Sequence, residues 1–235
     1  MNVQHYAGRE LDLFANAVTW KSYYAAEVRA YLCGDVLEVG AGLGINTHFL
    51  KSRLAASWTC LEPDPDLADR IRKRFAADPN LADCRVETAA TQDLVGDARF
   101  DSIAYIDVLE HIADDRAELQ RAADLLRTGG RIVVLAPAHQ WLYSPFDRSI
   151  GHYRRYNASQ LRFCTPSGCS IARTAYLDSA GILASGVNCL LVKKDAPSLR
   201  QILFWDRVLV PVSKILDRLT FHLVGKTILV LWTKK

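Results

Sequence analysis

Glu38-Val39-Gly40-Ala41-Gly42-Leu43-Gly44 sets a carboxylate two residues ahead of three glycines on alternate positions. Glycines in such a loop let backbone N–H groups approach a ligand with no Cβ in between. A dinucleotide loop, G-x-G-x-x-G, would need its third glycine at position 45, which is Ile45. A carboxylate at Glu38 opposes a pyrophosphate and suits a cation. Glu62 ends the next apolar run, just before Pro63, where a carboxylate can grip ribose hydroxyls. The expected ligand has an adenosine-like ribose and a positive, non-phosphate tail. S-adenosylmethionine has both, and NAD fits poorly.

Two further segments carry reactive types. Asp107-Val108-Leu109-Glu110-His111 follows the apolar run 100–106. Segment 138–156 reads A-H-Q-W-L-Y-S-P-F-D-R-S-I-G-H-Y-R-R-Y, too polar and aromatic for core and too long for an ordinary turn. His152 is the first candidate general base and His139 the second, since a free imidazole titrates near neutrality. His111 is the third, unless Glu110 and His111 only organise the turn before the next helix. Arg154 and Arg155 could clamp a phosphate or carboxylate, or bridge internally to an acid such as Asp147. Tyr143, Tyr153 and Tyr156 could stack on an apolar or sugar ring. No compact His/Cys/Asp cluster has ligand spacing, so no metal is expected.

These residues need a frame. Asp35–Val39, Trp58–Leu61, Cys84–Thr88, Phe100–Ile106 and Arg131–Ala136 read as strands. Helices are expected over Ile45–Leu54 and Asp66–Ala77. Another should open on an Asp115/Glu118 capping box, show Leu119, Ala122, Ala123 and Leu126 as its apolar stripe, and stop at Gly129-Gly130. Strands alternating with helices predict an α/β fold with a doubly wound parallel sheet, which binds ligands beyond the carboxyl ends of its strands. All the candidate segments fall there.

Val36–Gly44 resembles the first motif of class I S-adenosylmethionine (SAM)-dependent methyltransferases. Asp107–His111 resembles the D-V-L-E-H motif of their ubiquinone/menaquinone-type subgroup, and Gly129-Gly130-Arg131 is similar to the family's turn before strand five. The likeness runs from Asp35 to Pro137. It implies a mostly parallel seven-stranded sheet with an antiparallel last strand, strand six at Ile171–Leu177 and strand seven at Thr227–Trp232. It implies SAM as cofactor and S-adenosylhomocysteine as product. Carried over, Glu38, Gly40, Ala41, Gly42 and Gly44 face the methionine end, and Glu62 with Pro63 meets the ribose. Asp107 and Val108 lie beside the cofactor. The family's Asp after strand three has no clear equivalent, which leaves the adenine to Thr91 or Gln92. The implied reaction is in-line methyl transfer to a small-molecule or lipid-linked acceptor, at oxygen before nitrogen or carbon.

The expected divisions are cofactor-covering helices over 1–33, a Rossmann-like core over 34–177, a helical insert over 178–226 and the last strand over 227–235. Tyr6, Trp20, Lys21 and Tyr24 are candidate wall residues. The insert holds Ile202, Leu203, Trp205, Val208, Leu209, Val212, Ile215, Leu216 and Leu219 at spacings of three and four, with Arg207, Lys214 and Arg218 as a cationic stripe. Pro211 should kink or divide it. It could pack on its own sheet, cover the acceptor pocket, pair two copies as a homodimer, or lie on an anionic membrane.

Composition sets the limits. The 235 residues are 50% hydrophobic and 23% charged with a net charge of +3, which excludes disorder and argues against a nucleic-acid binder. From Lys193 onward basic residues dominate, so a slightly acidic body carries a basic end. No spanning segment or signal peptide is visible, and none of the six cysteines forms a C-x-x-C pair, so reduced thiols in a cytoplasmic protein are expected, with membrane association as the alternative. Two alternatives stay open: an NAD(P)-dependent oxidoreductase, and a non-catalytic SAM-binding partner of another enzyme.

Overall fold

Strands that are apolar at consecutive positions must be covered on both faces. Val36-Leu37, Cys60-Leu61, Ile103–Ile106 and Ile132–Ala136 are such runs, and all are buried. In the computed structural model, which describes residues 9–94, 96, 99–187 and 197–235, they form the centre of one seven-stranded sheet. Tyr6, Cys189, Lys193 and Lys194 lie outside the described residues.

Helices α1 (Arg9–Phe14) and α2 (Val18–Val28) lead in. Then come β1 (Gly34–Val39), α3 (Ile45–Leu50), β2 (Ala55–Leu61), α4 (Pro65–Ala77), β3 (Arg85–Glu87), β4 (Phe100–Ile106), α5 (Asp115–Leu125) and β5 (Leu126–Pro137). Helices α6 (Pro145–Ser149) and α7 (Ala158–Phe163) precede β6 (Cys169–Leu177). Helices α8 (Ser179–Val187), α9 (Leu199–Phe204) and α10 (Val210–Leu219) separate it from β7 (Thr227–Lys234). The strand order is β3-β2-β1-β4-β5-β7-β6. Only β7 runs antiparallel, with Val133 opposite Leu231 and Ala175 opposite Leu229. Chain order reverses between β1 and β4, and the loops leaving those two strands diverge to open a crevice.

Local chemistry moves several boundaries. α3 stops at Leu50 because Lys51 is extended. The N-cap of α5 is Asp114, whose carboxylate accepts from Ala117 N–H at 3.0 Å. The expected Asp115/Glu118 box does not form: Asp115 accepts from Arg154 and Tyr156, and Glu118 turns inward. α5 also ends before the glycines. Leu126 pairs with Phe100, so β5 starts there and runs through Gly129-Gly130. Pro211 does not split the insert: it sits in the first turn of α10, and the helical backbone runs on from α9 through a wide π turn over Trp205–Leu209. A wider turn rearranges the backbone bonds that a missing proline N–H would otherwise disrupt.

The described part of the insert packs on α2 and β6, and buried acids pin it there. Asp206 accepts from the N–H groups of Thr19 and Trp20 at 3.1 and 2.8 Å, capping the start of α2. Asp217 accepts from Tyr23 OH, Asp178 N–H and Ser179 N–H at 2.7, 2.7 and 2.9 Å. Asp217→Ala leaves three buried donors unpaired, and an unpaired donor costs about 1–3 kcal/mol. We expect the urea midpoint to fall by the equivalent of about 3 kcal/mol. A midpoint that barely moves would show that Asp217 is no pin. Cys33, Cys60, Cys84, Cys164 and Cys169 are free thiols, as expected. Among the described residues no helix is long and apolar enough to cross a membrane.

Candidate active site

The glycine loop at the end of β1 is left-handed at each glycine, with φ of +64°, +60° and +66° at Gly40, Gly42 and Gly44. A Cβ on Gly40 would lie 2.8 Å from Val108 Cγ2, and one on Gly44 would lie 2.9 Å from Phe75. The loop is therefore pressed between the end of β4 and α4. Glu62 clasps it: Gly42 N–H donates to one carboxylate oxygen at 2.7 Å and Asp64 N–H to the other at 3.0 Å. Burial raises the Glu62 pKa against the pull of those two bonds. Glu38 lies beneath the loop. Its Oε2 accepts from Thr47 Oγ1 at 2.7 Å and Trp58 Nε1 at 2.9 Å, while its buried Oε1 accepts nothing. Burial pushes its pKa up too. Glu38 thus supports the loop from below and does not line the cavity, contrary to its expected place facing the ligand.

A cavity of about 280 Å³ opens where β1 and β4 diverge. Gly40, Ala41 and Gly42 form one wall, and Trp20, Lys21 and Tyr24 from α2 form another, as expected for those three. Asp107 turns into it with a left-handed φ of +55°. Asp107 is exposed to that cavity. Burial pushes its pKa up to about 6, against the charges of His152, Lys21 and Lys226. Lys21 donates to Phe14 O at 2.6 Å, and burial lowers its pKa to about 8, against Asp107 and Asp206.

Opposite Asp107 sits a chain of acid–base groups. Arg155 Nε and Nη2 each donate at 2.9 Å to a different oxygen of Asp147. Asp147 Oδ1 faces His152 Nδ1 at 2.9 Å, and His152 Nε2 lies 3.8 Å from Glu110 Oε1. Burial works against the Asp147 charge, but His152 and Arg155 hold its pKa well below the usual carboxylate range. A carboxylate only accepts, so Nδ1 carries a proton, and in the neutral ring the lone pair sits on Nε2. Glu110 is fully buried, with no hydrogen-bond partner on either oxygen; burial and then Asp107 push its pKa well up. His111 meets His152 edge to face, ring centroids 4.5 Å apart, and burial followed by the His152 charge lowers its pKa to about 4. That makes His111 neutral and a weak base, which favours His152. Ligand atoms of Glu110, His111 and His152 lie within 4.8 Å of one another, close enough to share one divalent cation. Linear spacing hides this trio, because His152 arrives on a different loop.

Several expected site residues are elsewhere. His139 sits 3.0 Å from Gly225 O through Nε2 and stacks on Tyr176. Tyr143 OH donates to His152 O at 2.6 Å, so it props the His152 loop. Arg154 donates to Asp115 at 2.6 Å and Ala113 O at 2.7 Å, and its guanidinium lies over the exposed ring of Tyr153. Tyr156 is buried, bonded to Asp115 and Leu109 O. None of these five lines the cavity. Arg155 does, but its guanidinium serves Asp147. Of the two arginine readings, the internal bridge is the one formed. Thr91 Oγ1 donates to Glu118, which also accepts from Tyr105 OH at 2.8 Å, so Thr91 is a packing residue. Gln92 and Pro63 are exposed and, like Gly44 and Val108, lie off the cavity wall. Glu110 and Asp147 were missed as site residues. An acid four residues past a strand and next to His111 was the signal for Glu110; for Asp147 the only signal was an acid five residues before His152.

Residues 37–132 match a family described as a methyltransferase domain. A ubiquinone biosynthesis O-methyltransferase of Xylella fastidiosa (strain 9a5c) is 35% identical over 101 residues, which are 42% of this chain and 40% of that protein. The chain thus spans less than half the length of the curated relatives it matches. A geranyl diphosphate methyltransferase solved in complex with SAM has a TM-score of 0.65 at 14% identity, over 99% of this chain and 92% of that one. The geranyl diphosphate C-methyltransferase of Streptomyces coelicolor A3(2) also reaches 0.65, at 12% identity over 91% and 76%. At those identities the likeness is one of fold.

Proposed function

We propose that the chain is a class I SAM-dependent methyltransferase and that it methylates an oxygen of a small-molecule or lipid-linked acceptor. What supports this is a meeting in one cavity: Gly40–Gly42, the Asp107 carboxyl and the Asp147–His152 pair. The name of the Xylella relative supports oxygen as the receiving atom. The chain's own residues fit SAM. The glycines present backbone without a Cβ and Asp107 offers a negative charge to a cation, while Glu62, expected to meet the ribose, lies behind the loop and off the cavity wall.

Bound there, SAM supplies a methyl on a positive sulfur that leaves with the carbon–sulfur bonding pair as S-adenosylhomocysteine. His152 Nε2 accepts the acceptor's hydroxyl proton as the new carbon–oxygen bond forms. Asp147 fixes the imidazole tautomer and balances the positive ring. α1 and α2 help exclude water, and alignment of the reacting atoms can contribute ~7–11 kcal/mol.

A pH dependence follows. A cation prefers ionised Asp107, so SAM affinity should rise through about pH 6, the raised pKa of that carboxyl. Below that pH each unit should weaken binding up to about tenfold. Calorimetry from acid to neutral pH checks this, and Asp107→Asn should flatten the curve at its weak end.

The reaction is tested by giving labelled SAM and a host-cell extract to the protein and partitioning the products between organic solvent and water. Organic label means an apolar or lipid-linked acceptor; aqueous label means a small polar one. Side-by-side titration with NAD separates the oxidoreductase alternative. SAM binding without any S-adenosylhomocysteine from any extract would favour a non-catalytic partner. The Glu110–His111–His152 grouping supports a second reading for His152, as a metal ligand. Transfer that is lost on chelation and restored by a divalent cation would select it over the proton-acceptor role.

A further inference from the structure

α9, the π turn and α10 are amphipathic the wrong way round. Their buried side carries Asp206, Ser213 and Asp217 beside Ile202, Trp205 and Val210. Their outward side carries Phe204, Val208, Val212, Ile215 and Leu219, spaced four, four, three and four, which is one stripe of a helix. Ile215 is 64% exposed and Leu219 is 69% exposed. The turn beyond extends the stripe with Phe221, 83% exposed, and with Leu223 and Val224. Monomeric soluble proteins rarely leave so continuous an apolar surface in water.

Charge on this face is one-sided. Arg207, Lys214 and Arg218, spaced seven and four, line one edge of the stripe. The only acids in residues 197–226 are Asp206 and Asp217, and both are buried in hydrogen bonds to the rest of the fold. The outward surface of this stretch therefore has cations and apolar groups and no carboxylate.

We propose that this face docks on an anionic phospholipid bilayer, with the apolar stripe in the acyl boundary and the cationic edge among the headgroups. An interfacial helix binds by this combination of apolar burial and attraction to anionic lipid. A second copy of the chain fits less well. A two-fold interface would bring like cationic edges together with no acid on the face to offset them. A lid over the chain's own cavity also fits less well, because it is the opposite side of the segment, at Trp205, that lines the cavity. The surface is independent of methyl transfer, and it can be tested without turnover.

The test is co-sedimentation of the full chain with vesicles of phosphatidylcholine, alone or with about one third phosphatidylglycerol, at low and high salt. We expect at least tenfold stronger binding to the anionic vesicles, weakened by salt. Ile215→Glu with Leu219→Glu should reduce that binding at least tenfold with the urea midpoint unchanged. Arg207→Gln with Arg218→Gln, a second variant in case the first fails to fold, should remove most of the salt-sensitive part. Absence of binding to anionic vesicles at low salt overturns the proposal. So does equal binding by parent and variants, or a dimer that the double-Glu variant splits without any vesicle binding, which would give the face to a second copy.

Discussion

His152→Gln is expected to slow turnover by about 10²–10⁴, the usual contribution of a positioned general base, while SAM affinity stays within about twofold. Nε2 of His152 is the lone pair that the Asp147 bond leaves free, and it points to the side where Glu110 and His111 meet the cavity. A glutamine there keeps polarity and roughly the volume but accepts a proton at no accessible pH. The loss should therefore appear in kcat. Asp147→Asn should follow it part of the way, because Arg155 then loses the charge that both its nitrogens contact. His139→Gln is the contrast. That ring is bonded to Gly225 O and stacked on Tyr176, away from the chemistry, so turnover should hold within about twofold. Equal losses at 139 and 152 would sink the assignment, and so would a His152 variant that lost SAM affinity in place of turnover.

Gly40→Ala should cost the fold and the ligand together. The left-handed φ of +64° costs an alanine about 1–2 kcal/mol. Its Cβ would then stand 2.8 Å from Val108, an overpacking that typically costs about 1–3 kcal/mol more. Because Gly40 lines the cavity through its backbone, we expect SAM affinity to fall about 100-fold if the loop shifts to relieve the strain. Val108→Ala in the same protein should recover the steric share and leave the φ share. Gly129→Ala tests the difference. Its φ is +80°, but nothing lies within 4 Å of an added Cβ, so it should lose about 1 kcal/mol and no SAM affinity. Calorimetry and urea unfolding on the four proteins decide it. Unchanged SAM binding by Gly40→Ala would remove the loop from the site.

The frame was legible because its causes are local. Consecutive apolar residues in Ile103–Ile106 mark a strand covered on both faces, and Glu38-x-Gly40-x-Gly42-x-Gly44 marks a strand end that turns tightly into a helix. Boundaries went astray where a distant partner outbid a local signal. Asp115 has the residue type for a cap, yet Arg154 and Tyr156, some forty residues on, bind its carboxylate and leave capping to Asp114. Thr91 was placed near the right strand end, but its hydroxyl is taken by Glu118 on α5.

By itself, then, the order of residues determined the α/β topology, the glycine loop and the acids beyond the strands, because hydrophobic period and backbone preference act over a few residues. It also showed that the insert over 178–226 would carry amphipathic helices. Only the tertiary structure decided which face looks out: Tyr23, Ser179 and the start of α2 need acceptors, so Asp206 and Asp217 turn inward and the apolar stripe is left outside. It likewise brought His152 to the cavity and left His139 away from it, and set Arg155 on Asp147 and Arg154 on Asp115. Like charges and like rings are interchangeable along a chain. They become different residues when folding gives each one its own partner at hydrogen-bond distance.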